Sequence, residues 1–518
     1  MTIFSSGTNI GSNLRRKIRK IKRKYDITGD DLSGKIAELK AVIKGMAEEV
    51  RNRERKAEER RINKQFDQNP RSVYSKLLGD SIEVVTPPGV EELEAFWRPL
   101  FEDEQRHREN EWTETIELTN QQKPPMSQMN ISVESFNRKL GKYSNFKAPG
   151  IDNLPNYWIK ALTSLHAHYV YLFDRIISGN DQTPEWLTTG CTTLIPKSEE
   201  THLPSKYRPI TCLSTTYKIL TGLIADAIYE HLTVGNYLEG EQKGCIRDRM
   251  GTKDQLLINK AILEDCKRRQ RNMSMAWIDY SKAFDSVPHS WIIKCLRLYK
   301  VDERIIEMMG DQMDRWKTNI TLNHTKGKMK IENVKISRGI FQGDSLSPLL
   351  FCLSINPLSV LLNMEGVGYN LEKTRSKTPG RVISHLLFMD DLKVYANNET
   401  NLKKLMEVVK GFSNDIGMKF GLDKCSKCSI RKGRKVGGED ISTEEGPILD
   451  LASDSTYKYL GIEENSSIEQ GRMREKLERD YLTRVKKICK TELTPKNKIT
   501  AINQLAIPVL TYGFGIID

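Results

Sequence analysis

The residues best placed to do chemistry are two adjacent acids inside an apolar run, His385-Leu386-Leu387-Phe388-Met389-Asp390-Asp391-Leu392-Lys393-Val394-Tyr395-Ala396. At about 4 Å two like charges repel by roughly 4 kcal/mol at an effective dielectric near 20, so a greasy hairpin that holds both needs a compensating partner. A divalent cation supplies one. The apolar residues on both sides, with Val394 and Tyr395 favouring extended backbone, predict strand, two-residue turn, strand, with the acids at the tip. The competing reading is a solvated turn, which is what Asp30-Asp31 in the same chain is expected to be.

A third acid separates the two readings. Met275-Ala276-Trp277-Ile278-Asp279 is another apolar run that ends in a carboxylate, ahead of a segment broken by Pro288, so Asp279 is expected at a strand end. Metal-assisted phosphoryl transfer needs oxygen ligands from a few carboxylates on rigid neighbouring strands, with substrate phosphates and water filling the other positions. Asp279, Asp390 and Asp391 meet that need. Between them, Ser337-Arg338-Gly339-Ile340-Phe341-Gln342-Gly343-Asp344-Ser345-Leu346-Ser347-Pro348 is a glycine-punctuated loop feeding an apolar segment, with Ser347 and Pro348 suited to a helix start. Taken alone, it reads either as a loop that approaches a substrate or as a plain loop-to-helix junction.

The order Asp279-x4-Phe284, then Gly339-x2-Gln342-Gly343-Asp344-x2-Ser347-Pro348, then Phe388-Met389-Asp390-Asp391 resembles the reverse transcriptases of non-LTR (LINE-type) retrotransposons. The likeness extends, in family order, to Phe146-Lys147-Ala148-Pro149-Gly150-Ile151-Asp152, Leu194-Ile195-Pro196-Lys197, Tyr207-Arg208-Pro209-Ile210, Gly417-Met418-Lys419-Phe420 with Lys424, and Tyr457-Lys458-Tyr459-Leu460-Gly461-Ile462. It covers roughly residues 140 to 515 and is closest to elements that insert with a restriction-like endonuclease. One position departs: where the family has a small residue before the paired acids, this chain has Met389. Methionine is flexible and fills irregular gaps, so the change is expected to alter packing and leave the ligands in place.

The resemblance implies an α+β right-hand polymerase of fingers, palm and thumb, with an antiparallel-sheet palm and a basic helical N-terminal extension. The boundaries expected are the extension over 1–79, a linker with one acidic helix over 80–139, fingers with part of the palm over 140–275, palm over 276–463 and an incomplete thumb over 464–518. The implied activity is RNA-directed DNA polymerisation with two Mg²⁺ ions, for which Mn²⁺ can substitute, acting on an RNA template, a DNA primer or target, and dNTPs. By resemblance Asp279, Asp390 and Asp391 hold the metals, and Lys424 donates a proton to pyrophosphate. Lys197 and Arg208 lie near the triphosphate, Phe284 is the steric gate against a ribose 2′-hydroxyl, and Gln342 and Gly343 lie beneath the templating base pair. Tyr459, Leu460 and Gly461 form the primer grip, followed from about Ser467 by thumb helices rich in Lys and Arg. The alternatives are a host-retained or maturase-like reverse transcriptase and a catalytically weak nucleic-acid-binding protein derived from a retroelement.

The elements that must carry these residues are set by the whole chain. Its 518 residues suffice for several subdomain cores. The net charge of +13 is concentrated at one end: residues 1–70 hold 18 Lys or Arg against 10 Asp or Glu. The run Arg15, Arg16, Lys17, Arg19, Lys20, Lys22, Arg23, Lys24 is dense enough to release several counterions from a nucleic acid, and it also fits a nuclear-import signal, so an intracellular, nuclear location is expected. Ile36, Leu39, Ile43, Met46 and Val50 recur at helical spacing, a face whose first explanation is burial, on a helix expected to run to about Phe66.

Pro87-Pro88 and Pro124-Pro125 mark the expected linker, with its acidic helix around Glu91 to Glu104. Nine scattered cysteines fit a reducing compartment, and Cys425-x2-Cys428 lacks the second pair a zinc site needs, so both are expected to pack along a strand. The stretch Leu346–Leu362 is interrupted by polar residues and prolines and reads as a buried helix, so no membrane contact is expected. Too few residues precede Leu93 for an apurinic-type endonuclease, and the apolar run Leu505–Leu510 lies close to Asp518. Target cleavage by this chain alone is therefore not expected, and the thumb is expected to be completed by missing sequence or a partner.

Overall fold

The structure, a computed structural model, describes residues 12–25, 32–79, 82–247, 249–371, 381–452 and 454–518. The Asp30-Asp31 turn lies outside them. The chain divides into two compact units, residues 82–478 with 511–518, and residues 1–81 with 479–510.

The larger unit is built on a five-stranded antiparallel sheet. Its strands stand in the order Arg434–Val436, Ser426–Arg431, Met273–Ile278, Asp391–Ala396, His385–Phe388. The central strand, Met-Ser-Met-Ala-Trp-Ile, is buried at every position, as expected of a strand covered on both faces. One face packs on the helices Ser347–Met364 and Glu399–Asp415 through Ala276, Ile278, Leu392 and Val394; the other packs through Met275, Trp277 and Tyr395 on Leu256 and on the hairpin Tyr457–Tyr459/Ile462–Glu464. Among the described residues Ser347–Met364 is the one helix long and apolar enough to cross a membrane, and most of it is buried in this core.

A second sheet of four strands, Tyr207–Cys212, Thr189–Pro196, Lys317–His324 and Gly327–Lys335, pairs parallel only between Thr189–Pro196 and Lys317–His324. The segment read from its prolines as a linker is built into the core. Its acidic helix, Val90–Glu102, is amphipathic and buries Leu93, Trp97 and Phe101, and a second helix, Glu111–Asn120, buries Ile116. Glutamates on the outer face had concealed the apolar face beneath them.

In the smaller unit the basic run forms the helix Ser12–Lys24, and the next helix runs from Leu32 to Gln68. That second helix forms as expected, but its apolar face is only partly covered: Ile36 and Leu39 are half-buried, whereas Ile43 and Met46 are each 64% exposed. Thirty-seven residues span about 55 Å at 1.5 Å each, and the far end packs into a small apolar cluster. There Ile62 and Phe66 pack with Val73, Ile488, Leu493 and Ala501, and Ile502 and Leu505 add to the same cluster.

Candidate active site

Strand register brings the acids together. In the five-stranded sheet Ile278 pairs with Leu392 and Trp277 with Ser426, so Asp279, one residue beyond Ile278 and two beyond Trp277, faces Asp391 on one side and Lys424 on the other. The hairpin turn is Met389-Asp390, closed by the Phe388–Asp391 pair, so Asp391 opens a strand rather than sharing the tip with Asp390. Asp279, Asp390, Asp391, Lys424, Lys197, Arg208, Phe284 and Gln342 all line one cleft of about 680 Å³. Gly343 lies just below it at φ 143°, where an added Cβ would fall 2.2 Å from the Thr211 carbonyl oxygen. Tyr459 is buried beside the sheet, and Leu460 and Gly461 make its turn with φ of 44° and 85°, the left-handed pair a tight hairpin requires. The basic run Arg15–Lys24 belongs to the other unit, with Arg15, Arg16, Lys17, Arg19, Lys20, Arg23 and Lys24 exposed.

The electrostatics follow from crowding. Burial, then the charges of Asp390 and Asp279, push Asp391 up to about 7; burial and Asp279 raise Asp390 as well. Lys424 Nζ donates to Asp279 Oδ2 at 3.1 Å, and this contact raises the lysine against the pull of burial. Among the described residues no three acids, histidines or cysteines are already drawn together as a metal cage. The donor set nevertheless fits a hard divalent cation: three carboxylates, two of them raised by burial and by one another's charge, face one space. Cys425 and Cys428 lie along the neighbouring strand as buried free thiols, as expected, with Cys425 Sγ against the backbone of Asp279.

Opposite the acids stands a basic wall. Lys197 and Arg208 sit at the paired ends of the strands Thr189–Pro196 and Tyr207–Cys212, where Ile195 faces Arg208. Lys282, which the motif reading passed over, completes the wall: at φ 51° its Nζ donates to the Tyr207 carbonyl at 3.0 Å and lies 4.3 Å from the centre of the Trp97 ring. Burial and then Lys197 lower it to about 8. The Phe284 ring is fixed by stacking on Phe351, centroids 4.5 Å apart at 10°. Asp285, also missed, is buried and raised by that burial to about 6, and its Oδ1 accepts from Gln342 Nε2 at 2.8 Å, orienting Gln342 at the cleft wall.

The turn that carries Asp390 is itself held. Gln242, buried, accepts from the Met389 and Gly244 amides at 3.0 and 2.7 Å and donates to the Met389 carbonyl at 3.3 Å. Met389 has φ 57°, a region disfavoured for a side chain of its size, and this bracket holds it there. Its side chain fills the space above Gly244, where an added Cβ would come within 2.7 Å of Met389 Cγ. No residue pattern announced Gln242, because its partners are backbone atoms of a distant turn.

Behind the acids a buried polar cluster ties the sheet to the following hairpin. Lys393 and Glu464 are fully buried and ion-paired; Lys393 Nζ donates to Asn259 Oδ1 at 2.7 Å, and Glu464 Oε1 accepts from Trp277 Nε1 at 2.7 Å. Tyr457 stacks on Trp277 at 4.7 Å and 14°. The hairpin that carries Tyr459, Leu460 and Gly461 is thereby locked to the strand that ends just before Asp279 and the strand that begins with Asp391.

An antiparallel sheet that presents acids from adjacent strand ends to a cleft lined by Lys197, Arg208 and Lys282 has the donor set of metal-assisted phosphoryl transfer. The family model described as reverse transcriptase (RNA-dependent DNA polymerase) matches residues 195–463, just over half of the chain, and the chain belongs to that family. Among the proteins it is similar to are Pol polyproteins of retrotransposable elements. The chain is 25% identical over 339 residues, 63% of its length and 30% of the relative's, to the retrovirus-related Pol polyprotein of the type-2 retrotransposable element R2DM of Drosophila melanogaster. To the Pol polyprotein of the type-1 retrotransposable element R2 of Popillia japonica it is 28% identical over 380 residues, 71% of this chain and 49% of the relative. The chain thus spans between about a third and a half of the length of these relatives.

Proposed function

We propose that this chain extends a DNA primer on an RNA template, using Asp279, Asp390 and Asp391 to hold two divalent ions, Mg²⁺ with Mn²⁺ as a substitute. One observation carries the reading: three carboxylates from adjacent strand ends face Lys197, Arg208 and Lys282 across a single cleft. A bound divalent pair supplies an activated primer 3′-hydroxyl and neutralises charge on the departing pyrophosphate. The basic wall orients the triphosphate, with the Arg208 guanidinium suited to a bidentate phosphate contact and the two ammonium groups to point contacts. Phe284, immobile against Phe351, excludes a 2′-hydroxyl from the incoming sugar. Lys424, protonated and mostly exposed at the rim, delivers a proton to pyrophosphate.

In the same reading Gln342, oriented by Asp285, and Gly343 bring loop backbone under the templating base pair. The hairpin of Tyr459, Leu460 and Gly461 seats the primer terminus. The exposed cations of Arg15–Lys24 add sequence-blind affinity for nucleic acid, with nuclear residence as the corollary. Template-dependent incorporation of labelled dNTPs into a DNA primer annealed to RNA, lost on chelation and restored by Mg²⁺, is the test. A protein that binds the primer–template and incorporates nothing under these conditions refutes it.

A further inference from the structure

We infer that Phe146 and Tyr157 form a stacking platform for the unpaired RNA template ahead of the primer terminus. The inference rests on the polymerase reading and adds a binding surface that reading does not use. Three large aromatics stand in the open on one short stretch: Phe146 is 77%, Trp158 53% and Tyr157 41% exposed. Isolated exposed apolar residues are ordinary, but these are arranged. The rings of Phe146 and Tyr157 stack with centroids 5.4 Å apart at 18°, and Trp158 meets Tyr157 edge-on at 5.4 Å.

The arrangement is preorganised. Three successive carbonyls of the loop before Phe146 are held from the helix Asn156–Ala161 and its side chains: Lys160 Nζ donates to Tyr143 O at 2.6 Å, Asn156 Nδ2 to Ser144 O at 2.6 Å, and the Tyr157 amide to Asn145 O at 3.1 Å. Further along, an added Cβ on Gly150 would lie 2.3 Å from the Ser214 amide, and Asp152 accepts from Ser214 Oγ at 2.6 Å, so the segment is clamped on both sides of the exposed ring.

Position and charge select the occupant. Tyr143, three residues before Phe146, is within hydrogen-bond distance of Ser345 Oγ at 2.9 Å, and Ser345 follows the Gln342-Gly343 loop at the cleft wall. The platform therefore lies on the side of the cleft where the templating base is proposed to sit. Lys142 and Lys147 are exposed on the same loop and suit a phosphate backbone. Aromatic faces flanked by lysines are how proteins take single strands, each stacked base being sequence-tolerant because every base has a face to offer. A template for an RNA-dependent polymerase arrives as single-stranded RNA, which fixes the source.

The test uses the whole chain and DNA-primed RNA templates whose unpaired 5′ overhang is 0, 2, 4 or 6 nucleotides. Wild-type affinity is expected to rise with overhang length. Phe146→Ala/Tyr157→Ala is expected to lose that rise, by at least about fivefold at the longest overhang, the lower end of what one stacked base contributes. Binding to the blunt duplex should stay unchanged, and Phe146→Trp should retain the rise. Both rings are exposed, so their removal leaves the core intact. An equal overhang effect in the double variant, a uniform loss including the blunt duplex, or self-association that the double variant dissolves would overturn the platform. Because binding is read without catalysis, a chain that binds overhangs as expected but never extends would sink the polymerase reading and not this one.

Discussion

Asp391 shows at the residue scale what crowding acids into one buried cleft costs. Its carboxyl is held near 7, above the roughly 3.9 of a free aspartate, chiefly by burial and the neighbouring acids. Between those two values the folded protein keeps a proton that the unfolded chain has released, so stability falls as pH rises from about 4 to about 7 and the loss is complete above that. The metal-free wild type is therefore expected to melt lower at pH 7.5 than at pH 5, relative to Asp391→Asn, with the variant ahead by about 2 °C at the higher pH. Scanning calorimetry in chelator checks this, and a variant without that pH-dependent advantage would contradict it.

Gln242 carries the second expectation at this scale. Gln242→Ala removes the bracket on the Met389-Asp390 turn and is expected to lower kcat by about tenfold or more while leaving KM for dNTP nearly unchanged, since a small displacement of a positioned group is expensive. Steady-state kinetics on a fixed primer–template separates this from general destabilisation, which would lower the active fraction without changing turnover per active site. The acids were legible in the sequence because charge inside an apolar run is improbable without a use. Gln242 and Lys282 were not, because their roles depend on contacts with distant backbone carbonyls and amides and with the Trp97 ring.

Elements were legible where one rule governed them. Apolar runs ending in or enclosing an acid marked the central strand and the acid hairpin, with Val394 and Tyr395 adding strand propensity to the latter, and Ser347-Pro348 opened its helix as expected. Two readings needed tertiary information. The prolines around residues 87 and 124 looked like linker punctuation, yet the helices between them bury Leu93, Trp97, Phe101 and Ile116. The stripe of Ile43, Met46 and Val50 has helical spacing and no neighbour in the described residues that covers it. Register, which periodicity alone does not give, is what sets Asp279 between Asp391 and Lys424.

The Lys393–Glu464 pair gives the test at this scale. Lys393→Met leaves Glu464 as a buried, uncompensated charge and is expected to cost about 3–5 kcal/mol, whereas Lys393→Met/Glu464→Leu should recover most of that. Urea denaturation of the two variants measures it. If the double variant were as unstable as the single one, the pair would not be the link between the sheet and the hairpin.

For the whole molecule, charge is unevenly placed: an excess of 13 positive charges overall, eight cations within Arg15–Lys24, and Asp279, Asp390 and Asp391 gathered in one cleft. Replacing those eight cations by Gln is expected to flatten the slope of log affinity against log salt by about 0.7–0.9 for each one that meets a phosphate, with turnover at saturating primer–template unchanged. An unchanged slope would show that this helix does not touch nucleic acid. The most direct test of the central claim is extension of a DNA primer on an RNA template with dNTPs and Mg²⁺, comparing the wild type with Asp390→Ala/Asp391→Ala at matched primer–template occupancy. Extension by the wild type is expected, with at least about a thousandfold loss in the variant, as when groups that act only on the transition state are removed. Extension that survives the double substitution, or a wild type that binds and does not extend, would contradict it.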